Sequence, residues 1–135
     1  MASRGQGGLW GRGELDPGLD AHFRPLCGLL SNEELTQLSI AIVDHVEEIR
    51  RALRHNEFLD IETAERLAST LQLLLGEYFL FSENDKKLVA GAARYFVNSL
   101  DADPDTGSVL GLDDDTAVLN FVVEAIGRPE LKVEI

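Results

Sequence analysis

The chain has 135 residues, 24 of them acidic and 12 basic, for a formal net charge of −12 and a pI near 4.5. That charge argues against a nucleic-acid partner, whose phosphates it would repel, and against docking on anionic membranes; basic proteins and metal ions remain as partners. With 44% apolar and 27% charged residues the composition is globular, and the length is that of one domain.

The first eighteen residues hold Gly5, Gly7, Gly8, Gly11, Gly13 and Gly18 and show no apolar periodicity. They predict a flexible N-terminal tail over 1–18, ahead of a single helical domain over 19–135. Trp10 is the one aromatic residue of that tail, suited to packing on its own domain or on a partner. The tail lacks the apolar run of a signal peptide. The longest apolar stretch, Leu71 to Phe81, is broken by Gly76 and Glu77 and falls short of the ~20 residues that span a bilayer. Cys27 is the only cysteine, which excludes an intrachain disulfide and an intact Cys-x-x-Cys zinc motif and fits a reducing compartment. The expectation is a soluble cytoplasmic protein without membrane insertion.

A short helical turn is expected over Leu19–Leu30, interrupted by Pro25. Ser31 and Glu34 then form a capping box for a long helix with Leu35, Leu38, Ile42, Val46, Ile49 and Leu53 inward, ending near His55-Asn56. Asp60 caps a second helix carrying Ile61, Ala64, Leu67, Leu71, Leu74, Leu75 and Tyr78 and continuing into Phe79–Phe81. Its wide apolar face marks it as the central helix of a bundle. Ser82 and Asp85 repeat the capping signal before a third helix lined by Leu88, Val89, Ala92, Phe96 and Leu100. A fourth is expected from about Asp113 to Ile126, with Val118, Leu119, Val122 and Val123 inward and Gly127 as its stop. Period-two alternation occurs only in the last few residues, too few to build a sheet. The fold class is therefore all-α, a bundle of four main helices with short loops.

Between the third and fourth helices the chain reads DADPDTGSVLGLDDD, six aspartates in residues 101–115. One reading is structural. Asp113 caps the fourth helix, Asp114 and Asp115 complement its dipole, and Pro104-Asp105 and Thr106-Gly107 turn the chain while Val109 and Leu110 anchor it. The other reading is a divalent-cation site for calcium or magnesium. Asp101, Asp103 and Asp105 stand at the first, third and fifth positions of a calcium loop, with Asp114 or Asp115 folding back toward them. Thr106 and Leu112 stand where an EF-hand needs glycine and glutamate, so the site would be of another kind.

Tyr95, Asp101, Pro104-Asp105, Val109-Leu110-Gly111 and Asp114-Asp115 together spell Y-x5-D-x-x-P-D-x3-V-L-G-x-x-D-D. This resembles the signature of the YkvA-like bacterial family, a domain of unknown function, over about residues 88–126. Asn98-Ser99, Ala102-Asp103 and Ser108 depart from the family's Ser-Pro, its apolar pair and its second proline. The resemblance implies a helical hairpin around a shared aspartate turn, and implies no activity.

Other chemistry is thin. His22, His45 and His55 are far apart; His45, at a helix edge near Asp44 and Glu48, reads as solvated or core-bonded. Arg50, Arg51, Arg54 and His55 complement the end of the first long helix, or dock an acidic partner or the aspartate loop. Tyr95 has a hydroxyl to offer a loop carboxylate. No phosphate loop and no glycine-framed serine appears, and no catalytic set is assigned. Two functions stay open: a non-enzymatic interaction or structural module engaging a protein partner or forming a homodimer, and a divalent-cation-binding domain.

Overall fold

The computed structural model describes residues 15–53, 61–102 and 111–133. Five α-helices account for most of them: α1 (Pro17–Phe23), α2 (Asn32–Leu53), α3 (Ile61–Gly76), α4 (Glu83–Ala102) and α5 (Gly111–Ala125). Tight 3-10 turns follow at Arg24–Leu26, Tyr78–Leu80 and Pro129–Leu131, and no strand occurs among the described residues. The fold class is all-α.

Both capping signals operate. At α2 the Ser31 Oγ accepts from the Glu34 N–H at 3.1 Å, and Glu34 Oε1 accepts from the Ser31 N–H at 2.9 Å. At α4 the Asp85 N–H donates to Ser82 Oγ at 3.2 Å. The α2 pattern lands in register, with Leu38, Ile42, Val46 and Ile49 buried and Leu35 partly so. Gly127, at φ 85°, lets the Arg128 N–H turn back to the Val123 carbonyl at 2.7 Å, closing the end of α5.

Several boundaries differ from the sequence expectation. Residues 15–18, expected in the tail, belong to the body. Leu15 packs against the core, and Asp16 caps α1 by accepting from Gly18 and Leu19 ahead of a proline suited to a first helical turn. The helix expected to continue from α3 into Phe79–Phe81 stops at Gly76. The chain tightens into a 3-10 turn that sends Tyr78 inward, where its hydroxyl accepts from the Leu30 N–H at 2.7 Å, and leaves Phe79 and Leu80 outside. α4 runs on through Asp101 and Ala102, so the first aspartate of the acidic run has helical backbone. α5 begins at Gly111, which places Asp113 inside the first turn instead of at the cap, with Asp114 in that turn as expected. The expected N-cap Asp60 lies outside the described residues.

The central helix is α4, not α3. It touches α1, α2, α3, α5 and the 3-10 turns at Arg24–Leu26 and Tyr78–Leu80. The reason is side-chain size. Ala90, Gly91, Ala92 and Ala93 are all buried, and their small volumes let neighbours approach from several directions. α3, apolar as it looks, keeps an outer face with Glu62, Arg66 and Leu73. It pairs with α2 through Ser39 and Gln72, whose side chains bond at 2.6 Å, and through Arg50–Glu65 at 2.9 Å. The C-terminal run is laced back by Asn120, which accepts from the Val133 N–H at 2.8 Å and donates to its carbonyl at 2.9 Å.

Candidate functional site

The described part of the acidic motif lies where the end of α4 meets the start of α5 and of α1. Tyr95 is half-buried on α4. Asp113 and Asp114 point to solvent in the first turn of α5, where negative charge complements the helix dipole. Asp115 is different: it is 3% exposed. It stands three residues before Val118 and four before Leu119, so the inward stripe of α5 carries it into the body. Thr116, also buried, satisfies its hydroxyl by donating to the Leu112 carbonyl at 2.7 Å. The same spacing, available in the sequence, separates the third aspartate of the triplet from the other two.

The electrostatics follow the placement. Partial burial, with repulsion from Asp113 and Asp16, raises the carboxyl pKa of Asp114. Burial pushes the Tyr95 hydroxyl up to about 12, with Asp114 and Asp115 adding to the rise. The two ends of the sequence motif are thus electrostatic neighbours. Its middle, Asp103, Pro104 and Asp105, lies outside the described residues, as does the side chain of Asp101, and Gly111 contributes backbone to α5. Among the described residues no group of three or more His, Cys, Asp and Glu is placed to hold a metal ion.

Tyr95 carries a testable pH dependence. Below pH 10 the phenol is protonated in both folded and unfolded chains and does not affect the balance. From about 10 to 12 only the unfolded chain has released the proton, so stability falls across that window. Tyr95→Phe is expected to flatten this alkaline limb in denaturant titrations. Cys27→Ala is the right background, because burial raises that thiol from 9.0 to about 11 in an overlapping range.

Cys27 is packed, not poised: its Sγ lies 3.6 Å from the Phe23 carbonyl it donates to, and its raised pKa disfavours the nucleophilic thiolate. His45 is buried edge-on against Phe96, with ring centroids 4.7 Å apart, and its Nδ1 lies 3.7 Å from Glu48. Its position three residues after Ile42 and four before Ile49 is the sequence signal for that burial. An open groove of about 390 Å³ lies between α3, at Glu62, Glu65 and Arg66, and the run from Glu130 to Val133.

The surface features that sequence reasoning missed are apolar. Phe79 is 63% and Leu80 83% exposed on the turn after α3, beside Lys86, whose Nζ lies 5.5 Å from both the Tyr78 and Phe79 rings. On α2, Ile40 and Val43 are 57% and 54% exposed, and Leu73 shows on the neighbouring α3. Phe79 and Leu80 read as a continuation of an apolar helix, and only the break at Gly76 turns them outward. Ile40 and Val43 fall between the inward positions of α2, and their type alone does not place them.

No family model matches the chain, and no curated protein and no solved structure matches it. Among the described residues no helix is long and apolar enough to cross a membrane.

Proposed function

We propose that this protein is a small acidic, non-enzymatic interaction module that works in the cytoplasm and presents apolar side chains to a protein partner. The observation that carries the reading is the turn at Tyr78–Leu80. Tyr78 is tied inside by the hydrogen bond its hydroxyl accepts from Leu30, and the 3-10 turn then carries Phe79 and Leu80 to the outside. Displaying two large apolar groups to water has a hydrophobic cost that a partner surface removes, and a nearby lysine supplies polar contact at the rim. A photo-crosslinking side chain placed at Leu80 in the native cell is expected to give a discrete adduct that the same group at exposed Ala117 does not give. Equal adduct patterns from the two positions would overturn the reading.

The kinship with the YkvA-like family belongs to this proposal, supported by the proximity of Tyr95 to Asp114 and Asp115 at the two ends of the motif.

The second reading, a divalent-cation domain, is favoured by one observation. Besides its partial burial, Asp114 feels the negative charges of Asp113 and Asp16, which a cation held by the neighbouring acidic run would offset, these three not being themselves placed as a ligand set. Under it, millimolar calcium or magnesium raises the melting midpoint by several degrees relative to EDTA, and Asp101→Asn with Asp105→Asn removes the shift. An unchanged midpoint with each metal ends that reading.

A further inference from the structure

We propose that the outer stripe of α2 is a self-association surface on which two copies of this chain pair antiparallel. The inference rests on reading the protein as an interaction module, and it names the partner at one of its two apolar surfaces.

The stripe consists of Glu33, Thr36, Ile40, Val43, Glu47 and Arg51, all exposed. Their spacing of three and four residues keeps them on one side of the helix, opposite Leu38, Ile42, Val46 and Ile49, which face the core. Its centre carries the β-branched Ile40 and Val43 with the exposed Asp44 beside them, and its ends are charged with opposite sign: Glu33 and Glu34 lie in the first turn, Arg50 and Arg51 in the last. Two of these four charges are occupied within the chain. Glu34 closes the capping box, and Arg50 is held by Glu47 at 3.5 Å and Glu65 at 2.9 Å. Glu33 and Arg51 remain, and among the described residues neither makes an ion pair.

Self-complementarity follows from where these groups sit. Glu33 and Arg51 are equidistant from Ile42, and Ile40 and Val43 straddle nearly the same point. A two-fold axis there lays Ile40 of one copy on Val43 of the other. The same rotation brings Glu33 opposite the second copy's Arg51, twice over by symmetry. The helix dipoles then run antiparallel. The parallel alternative sets Glu33 against Glu33 and Arg51 against Arg51. For a chain of net charge −12, association with a copy needs charges that compensate, and the two ends of this stripe supply them in the antiparallel pairing, against the like charge of Asp44 near its centre.

Sedimentation velocity on the full chain over a concentration series tests the proposal. The expected result is a monomer–dimer equilibrium that Ile40→Lys shifts to monomer, weakening association about tenfold or more, with helix content unchanged because the site is more than half exposed. Glu33→Arg and Arg51→Glu are each expected to weaken the dimer several-fold, and the double variant to restore it by exchanging the charges. A wild-type chain that stays monomeric throughout, a dimer indifferent to Ile40→Lys, or a double variant no better than either single one would overturn the proposal. The Leu80 crosslink separates this failure from failure of the interaction reading. An adduct that persists in the Ile40→Lys background leaves the module standing without self-association.

Discussion

Replacing Gly91 by valine is expected to lower stability by about 3 kcal/mol, near the upper end of the usual cost of overpacking a core, and the melting midpoint by roughly 10 °C. Gly91 sits on the central helix where the segment after α1 crosses it. A Cβ there would lie 2.5 Å from the Cys27 Sγ, 2.8 Å from a Phe23 ring carbon and 3.3 Å from the Cys27 Cα. Two of these distances are closer than real side chains tolerate. The crowding atoms have no easy retreat: Phe23 is fully buried and packs edge-on against Phe121 with ring centroids 6.1 Å apart, while the third contact is backbone. Gly91→Ala sets two effects against each other. Alanine is worth ~1 kcal/mol more than glycine inside a helix, yet the same atoms collide with its methyl group. The collision is expected to win, so Gly91→Ala melts below the wild type, and Cys27→Ala in that background recovers part of the loss. A Gly91→Ala protein that melts higher, as at an exposed helical glycine, would show that α1 and its connector do not approach α4 as described.

That site shows what the sequence could and could not disclose. Segments with one apolar face announced themselves: Leu38 to Ile49 fixed the register of α2, and Ser31 and Ser82 marked helix starts by a chemistry that depends only on neighbours in the chain. The centre of the bundle did not, because volume alone suggested it. Large apolar residues made α3 look central, whereas the helix that others surround is the one whose buried residues Ala90–Ala93 are small. Such residues are silent in an apolar pattern, since their effect is to let something else come near. The acidic run was legible as charge but not as geometry. Three successive aspartates are identical in type, and their fates diverge only through the inward stripe of α5, which takes Asp115 and leaves Asp113 and Asp114 outside.

Arg94 was equally silent, and its replacement by methionine is expected to be the second large effect, a loss of about 2–3 kcal/mol. One turn beyond Gly91, its Nη1 donates to the Leu26 carbonyl at 2.6 Å and lies 3.3 Å from the Gly28 carbonyl, groups more than sixty positions away in the chain. The connector leaving α1 has a 3-10 turn and then extended backbone at Cys27, so helix hydrogen bonding does not satisfy these carbonyls. A charged donor does, in a half-buried setting where such bonds are worth more than neutral ones. Methionine keeps much of the aliphatic length and removes the donor, leaving two carbonyls to find water where α4 covers them. Lysine is expected to recover only part of the loss, since its ammonium sits one bond nearer the backbone on a flexible stem, short of the place where the single Nη1 nitrogen meets both carbonyls. Gly91 and Arg94 act on the same segment, one by admitting it and the other by tying it. Their substitutions are therefore expected to be less than additive: once valine has lifted the connector, Arg94→Met has less left to lose. Fully additive losses in the double variant would place the two contacts on independent parts of the fold and break this account of how α1 is held.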